Sequence, residues 1–310
     1  MDNVCHTLVG AAFGEAGLKQ RTRFGTAALL VGSNLPDLDV LVFATGHSAV
    51  AFRRGWTHGI GSALVLVVAL AAVLWLVARR RPPRSGADAP PVHAGWLLAL
   101  AGAGVGSHVF LDYLNTYGIR LLTPFNWQWF YGDAVFILDP WLWLVLGGAV
   151  WLARRRRSPT PPRVALVVAA AYILAMMISA RAARATVLEV WRETHAGDPV
   201  ALMVGPVPLT PFAHDVIVDA GDHYVTGRFT WLSSVAFSPD RVPRNADAPE
   251  VGAARDSSAA IRGHLVWSRF PYWTLQPEDD GTRVTVGDMR FGGRGGARFS
   301  PSTVVPRQGD

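Results

Sequence analysis

Two side chains able to bind a cation stand four residues apart inside an otherwise apolar run. His108 and Asp112 lie within Gly104-Val-Gly-Ser-His-Val-Phe-Leu-Asp-Tyr-Leu-Asn-Thr-Tyr-Gly118. On a helix that spacing puts both on one face, one turn apart. A neutral imidazole and a carboxylate so placed can hold one metal ion together. A His–Asp hydrogen bond between packed helices is the plainer alternative. Either group costs free energy in apolar surroundings unless something binds it.

Further candidates flank or interrupt apolar stretches. Asn34-Leu-Pro-Asp-Leu-Asp39 breaks the apolar segment from Thr26 to Ala44. Pro36 disfavours a continuous helix and biases Leu35 towards an extended conformation. Asp37 and Asp39 are two residues apart and cannot share one face of a regular helix, but at a broken segment they can converge on an ion. Helix capping by Asn34 or Asp37 is the ordinary role for such residues. Arg53-Arg-Gly-Trp-Thr-His58-Gly59 precedes a long apolar run, so His58 sits at a boundary. Arg54 is a topology or headgroup charge, or a fork that grips phosphate. Arg120 opens a stretch holding Phe125, Trp127, Trp129, Phe130 and Tyr131, which suits an interfacial belt or the entrance for a lipid. Asp139, just before Pro140, is a helix-start carboxylate or a contact to a metal-bound histidine.

The elements that must position these groups are membrane helices. Half of the 310 residues are hydrophobic and 17% are charged, below the usual soluble level of about 25%. Four apolar runs, at 60–78, 95–114, 134–153 and 164–180, each approach the roughly 20 residues that cross a bilayer. The fold expected is mainly α. It is a polytopic membrane bundle of about four transmembrane helices, preceded by an N-terminal helical or re-entrant segment, in which residues 3–20 are helical and carry His6. Much of the arginine behind the net charge of +6 sits at the ends of apolar runs. That pattern belongs to topology signals and anionic lipid contacts rather than to a nucleic-acid surface. Arg79 to His93 and Arg154 to Arg163 are then cytoplasmic loops, which brings His58, Asp112 and Asp139 to the outer side. The single cysteine, Cys5, excludes an internal disulfide, and no basic stretch followed by an apolar core marks a cleaved signal peptide.

Beyond Ala185 the pattern changes. Segments 210–219, 223–231, 261–267 and 282–286 show alternation or β-branched enrichment. Residues 239–258 are expected to form a long loop, and the residues from Gly292 to be flexible. The chain thus divides into a helical domain at 1–185 and a small β-rich extramembrane domain at 186–310. His195, His214, His223 and His264 have no ligand-like spacing.

His6-Thr-Leu-Val-Gly10, Asn34-Leu-Pro-Asp-Leu-Asp39, Arg54-Gly-Trp-Thr-His58 and Ser107-His-Val-Phe-Leu-Asp112, taken in order, resemble the YdjM/YbcI-type bacterial inner-membrane metal-dependent hydrolases. Asp112-Tyr-Leu-Asn-Thr-Tyr-Gly118, Pro124-Phe125, Ile137-Leu-Asp-Pro140, Asp222-His-Tyr-Val-Thr-Gly227 and Gly287-Asp-Met-Arg-Phe291 extend the likeness over nearly the whole chain. The same order is remotely similar to the zinc-dependent phospholipases C and related single-strand nucleases. That likeness implies that Asp39 or Asp37, His58, His108 and Asp112 hold one metal, and that His6 and a bridging Asp112 help with a second. It departs from their pattern in having no second His-x-x-x-Glu after Asp112 and no amino-terminal Trp.

The function expected is a membrane-bound hydrolase acting on a phosphoester or lipid-linked substrate through a metal-activated water. Zn²⁺ suits the ligands, as one or two ions, with Mn²⁺ or Fe²⁺ as alternatives. Whichever of Asp37 and Asp39 is not a primary ligand orients or deprotonates the water, and Arg54 and Arg120 bind phosphate. The competing reading is a non-enzymatic membrane protein with a structural metal site and a partner-binding outer domain. A transporter ranks last, because no second broken segment pairs with the one at Asn34–Asp39.

Overall fold

A computed structural model of the protein describes residues 1–45, 49–81, 90–291 and 300–307. Within these the chain forms two compact units. The first comprises Met1–Asp39, Arg54–Ser179 and Pro206–Pro211; the second comprises Val40–Arg53, Ala180–Gly205 and Phe212–Asp310.

The first unit is helical. Helix α1 (Asn3–Glu15) starts at Asp2, whose carboxylate accepts from the backbone N–H groups of Val4 and Cys5. Gly17, at a φ of 115°, ends the helical course where a side chain would be strained. Helix α2 (Gly25–Gly32) is followed by 3-10 turns over Leu35–Ala44, and the two are bent by 49° at the Ser33–Asn34 break. A four-residue α3 (Ala49–Phe52) belongs to the second unit. Then come α4 (Ile60–Arg80), α5 (Ala94–Tyr113), α6 (Pro140–Arg156) and α7 (Thr160–Thr194). Among the described residues, α4, α5 and α7 are long and apolar enough to cross a membrane, and the bent pair makes a fourth candidate span. The third apolar run begins as a helix only at Pro140, six residues later than expected, and α6 has 17 residues. Asp139 caps it and Pro140 supplies the first helical position.

Helix α5 is the centre of this bundle. Its buried residues recur at Leu97, Leu100/Ala101, Gly104/Val105, His108 and Leu111/Asp112, a helical stripe that faces its neighbours. Gly104 makes the packing possible: a Cβ there would stand 2.8 Å from Ser33 N and 2.9 Å from Leu29 O. Only glycine lets α2 and α5 approach so closely.

The second unit carries the sheets. Strands β1 (Ala201–Val207), β2 (Thr210–Asp219), β3 (His223–Thr230) and β4 (Ser234–Pro243) form one sheet in that order. Val218 pairs with Val225 in the antiparallel β2–β3 ladder. Ala183, Val187 and Trp191 of α7 pack with Leu202, Val216, Val225 and Phe229 into one core. After α8 (Pro249–Ser257) and α9 (Ala259–Trp267), strands β5 (Pro271–Glu278), β6 (Gly281–Asp288) and β7 (Ser302–Pro306) form an antiparallel sheet. Three expectations are corrected here. Residues 261–267 are helical, because Ser258 caps α9 at Ile261 N and the buried Ile261, His264 and Trp267 recur at helical spacing. Residues 239–258 hold the end of β4 and α8, with Val251 and Ala254 packed beneath Trp273 and Val284. The flexible tail expected from Gly292 is corrected at Ser302–Pro306, which form β7 by pairing with β6; its residues 292–299 and 308–310 lie outside the described residues.

Candidate metal centre

The ligand candidates come from four places in the first unit, and packing in an apolar bundle brings them together. One donor atom from each of Asp37, His58, His108 and Asp112 lies within 4.8 Å of the others, and all four residues are buried. His58 Nε2 is 3.2 Å from His108 Nε2 and 3.1 Å from Asp112 Oδ2. His108 Nε2 is 3.6 Å from Asp112 Oδ2 and 4.0 Å from Asp37 Oδ1.

The partners of the other ring nitrogens set the tautomers. His108 Nδ1 is 2.7 Å from the Ser33 carbonyl oxygen, which can only accept, so Nδ1 carries the proton. Thr57 Oγ1 donates to Asp39 Oδ2 at 3.3 Å. Its lone pair then accepts from His58 Nδ1–H at 2.9 Å. Burial holds the His58 imidazole below its usual pKa, against the pull of Asp112, so the ring is neutral at pH 7. With Thr57 donating to the Asp39 carboxylate, both Nε2 atoms present lone pairs to each other and to a carboxylate oxygen. Such an array of acceptors repels itself unless a cation lies between them. The ligand atoms of a tetrahedral ion with bonds of about 2.0–2.1 Å stand about 3.3 Å apart. The residues present fit a divalent metal ion.

Asp37 and Asp39 take different positions. Asp37 stands in the group of four, whereas Asp39 lies behind His58. Asp39 Oδ2 accepts from Arg54 N at 2.7 Å and from Thr57, and is 3.6 Å from His58 Nδ1. Two residues apart on the 3-10 course after Pro36, the two carboxylates leave the segment on different sides.

Asp112 has two faces. Oδ2 turns to the two imidazoles and receives Arg54 Nε at 3.0 Å. Oδ1 accepts from the Met1 amino group and lies 3.3 Å from His6 Nε2. The His6 ring stacks on His108 at 3.8 Å between centroids, and burial pushes its pKa down to about 4. Neither His6 nitrogen makes a well-formed hydrogen bond, so a donor remains at the second face of Asp112.

Arg54 is committed to Asp112, to Asn115 Oδ1 at 2.9 Å and to the face of Tyr117. Arg120 lies between the Trp127 and Trp129 rings, 5.3 and 4.7 Å from their centroids, and its backbone N–H donates to Arg54 O. Asp139 takes the helix-start role: it accepts from Leu142 N at 3.0 Å and from the Tyr172 hydroxyl at 2.8 Å. Three participants carried no signal strong enough to be singled out in the sequence. Ser33 acts through its carbonyl, which every residue has. Thr57 and Asn115 are common polar types whose roles depend on distant partners.

Residues 1–183 match the profile of the YdjM inner membrane protein family. An uncharacterized Bacillus subtilis (strain 168) protein, YfhP, is 26% identical over 196 residues, which cover 59% of this chain and 56% of that protein. The chain thus spans little more than half the length of this relative. No solved structure matches the chain. The matched residues contain every member of the buried His/Asp group, and the chain belongs to the YdjM inner membrane protein family.

Proposed function

We propose that this protein is a membrane-bound, metal-dependent hydrolase acting on a phosphoester carried by a lipid or lipid-linked substrate. The observation that carries this reading is the convergence of two imidazole lone pairs and a carboxylate oxygen at 3.1–3.6 Å, in a family of inner membrane proteins. A divalent ion held there supplies Lewis acidity and lowers the pKa of a coordinated water to about 7. Zn²⁺ suits the donors best, with Mn²⁺ or Fe²⁺ as alternatives.

The chain's own residues divide the remaining work. His58, His108 and Asp112 hold the ion. Asp37, 4.0 Å from His108 Nε2, would be the carboxylate that takes a proton from a water on the ion. Asp39 and Ser33 orient the two imidazoles. Arg54 limits the charge on Asp112, and Arg120 brings positive charge for an anionic headgroup. His6 and Oδ1 of Asp112 offer a start to a second ion site. Arginines at the ends of α4 and α6 favour cytoplasmic loops after both helices. On that basis the site and the C-terminal region lie on the outer side.

The test is a panel of phosphodiester, phosphomonoester and acyl-lipid substrates, assayed with purified protein before and after chelation. Chelator-sensitive turnover that returns with Zn²⁺ supports the reading; turnover that survives complete metal removal overturns it. A structural metal centre in a non-enzymatic membrane protein is a second reading, favoured by the burial of all four ligand side chains. Four protein ligands close a tetrahedral site, and that reading expects bound metal without turnover on any substrate.

A further inference from the structure

A groove of about 450 Å³ runs between α4 and α5, walled by Leu64 and Val67 on one side and Val105 and Val109 on the other. Gly102 and Gly106, one turn apart, give it its depth. A Cβ on Gly102 would meet only Val67 Cγ1 at 3.9 Å, and one on Gly106 would meet nothing within 4 Å. The walls are almost wholly apolar and lie on two membrane-spanning helices. At one end they reach Ile60, Tyr113, Ile119 and Leu121. Those four are near neighbours in the chain of His58, Asp112 and Arg120, and Ile60 N donates to Leu121 O at 2.8 Å. The groove therefore runs from hydrocarbon depth to residues next in the chain to Asp112 and Arg120.

We propose that this groove seats one hydrocarbon chain of a phosphate-headed lipid, with the headgroup at the Arg120 end. The assignment rests on the hydrolase reading for the fate of the headgroup, and on the groove itself for the chain. Inside a bilayer the matter available to fill an apolar groove is hydrocarbon or another helix. Positive charge at one end selects an anionic, phosphate-bearing headgroup. The pair Gly102/Gly106 also has the spacing that lets two membrane helices dimerise, so a second copy of the chain is the rival occupant.

The experiment uses full-length protein in bilayer nanodiscs containing phosphatidic acid with a photoactivatable group at the end of one acyl chain. Adducts are mapped by mass spectrometry. They are expected to concentrate on Ala63, Val67 and Gly102, which line the groove, over exposed positions of α7 such as Val167 and Leu174. Gly106→Leu should fill the groove and lower those adducts about tenfold, in keeping with the size discrimination of apolar pockets. Gly106→Ala and the control Gly148→Leu, at another glycine with open space, should retain them. Adducts spread evenly over all exposed spans, or unchanged by Gly106→Leu, overturn the assignment. So do crosslinks between copies that vanish with Gly106→Leu. The activity arm separates the two claims. Groove adducts without any chelator-sensitive turnover sink the hydrolase reading and leave the chain seat standing; turnover without groove adducts does the reverse.

Discussion

His58 and His108 face each other through Nε2 atoms 3.2 Å apart, while the Nδ1 of each is bonded on the opposite side, to Thr57 and to the Ser33 carbonyl. With both Nδ1 atoms protonated, two Nε2 lone pairs meet there, an arrangement that a cation between them stabilises. The buried polar contacts behind the rings hold the lone pairs in place, as outer contacts do for metal ligands.

The first prediction concerns metal content. Purified protein should carry about one divalent ion per chain, since the described residues bring together one buried His/Asp group of this kind. His58→Ala and His108→Ala should each remove most of it while membrane insertion persists. Elemental analysis that finds no metal in the unmodified protein would sink the site.

Asp37 and Asp39 should separate by degree. Asp39 acts through His58, so Asp39→Asn should weaken metal affinity about 10–100-fold without abolishing binding. Asp37→Asn should leave the ion more exposed to exchange and should remove turnover. Competition with a chelator of known affinity, together with kcat, distinguishes the two; equal effects from both substitutions would contradict the roles assigned.

A packing change should reach the site from outside it. Gly104→Val puts bulk where a Cβ already stands 2.8 Å from Ser33 N, so α2 and α5 must part. Overpacking costs about 1–3 kcal/mol and should lengthen the bond from His108 Nδ1 to Ser33 O. The expected result is a lower melting temperature together with reduced metal content, although Gly104 touches no ion. Normal metal content in a folded Gly104→Val protein would show that the Ser33 carbonyl is dispensable.

The second unit has its own buried ion pair, and with it a pH dependence. Asp288 accepts from Arg290 Nε at 2.9 Å, Ser268 Oγ at 2.7 Å and Arg269 N at 2.7 Å, and Arg290 lies over the Trp267 ring. Burial alone would raise the Asp288 pKa, but Arg290 and these hydrogen bonds prevail and hold it well below 3.8. A depressed carboxylate stabilises the folded state fully above its unfolded value, and the benefit is lost as pH falls below about 4 towards the folded value. Denaturant melts of this unit between pH 6 and pH 2 should show that loss. Asp288→Asn should destabilise by about 3 kcal/mol at neutral pH and should remove much of the acid sensitivity. A variant as stable as the parent would overturn the role.

Sidedness is open to a direct measurement. A reporter fused after Asp310 should be active only when it folds outside the cytoplasm. Activity confined to a cytoplasm-dependent reporter would reverse the orientation inferred from the arginines of α4 and α6.

Much of this protein is legible along its chain. The apolar runs announce spanning helices, since the length of hydrocarbon to be crossed is fixed. The four-residue step from His108 to Asp112 announces a shared face, since a helix turns every 3.6 residues. Pro36 announces the break, because it lacks an N–H and restricts its predecessor. The misreadings at 239–258 and 261–267 arose where local signals compete. Short apolar runs such as Ile261–Trp267 fit both helix and strand, and packing against Trp273 and Val284 decides between them.

The sequence by itself determined a helical membrane protein with a β-rich end, and an inventory of His and Asp residues suited to an ion. Periodicity and composition act locally, so these could be read without coordinates. Only the tertiary structure decided that Asp37 joins His58, His108 and Asp112 in one buried group while Asp39 backs His58, that Asp139 serves α6 and Tyr172, and that Ser33 meets His108. Those choices depend on which groups meet across as many as 75 residues of chain, and distances of that kind are set by packing, not by spacing.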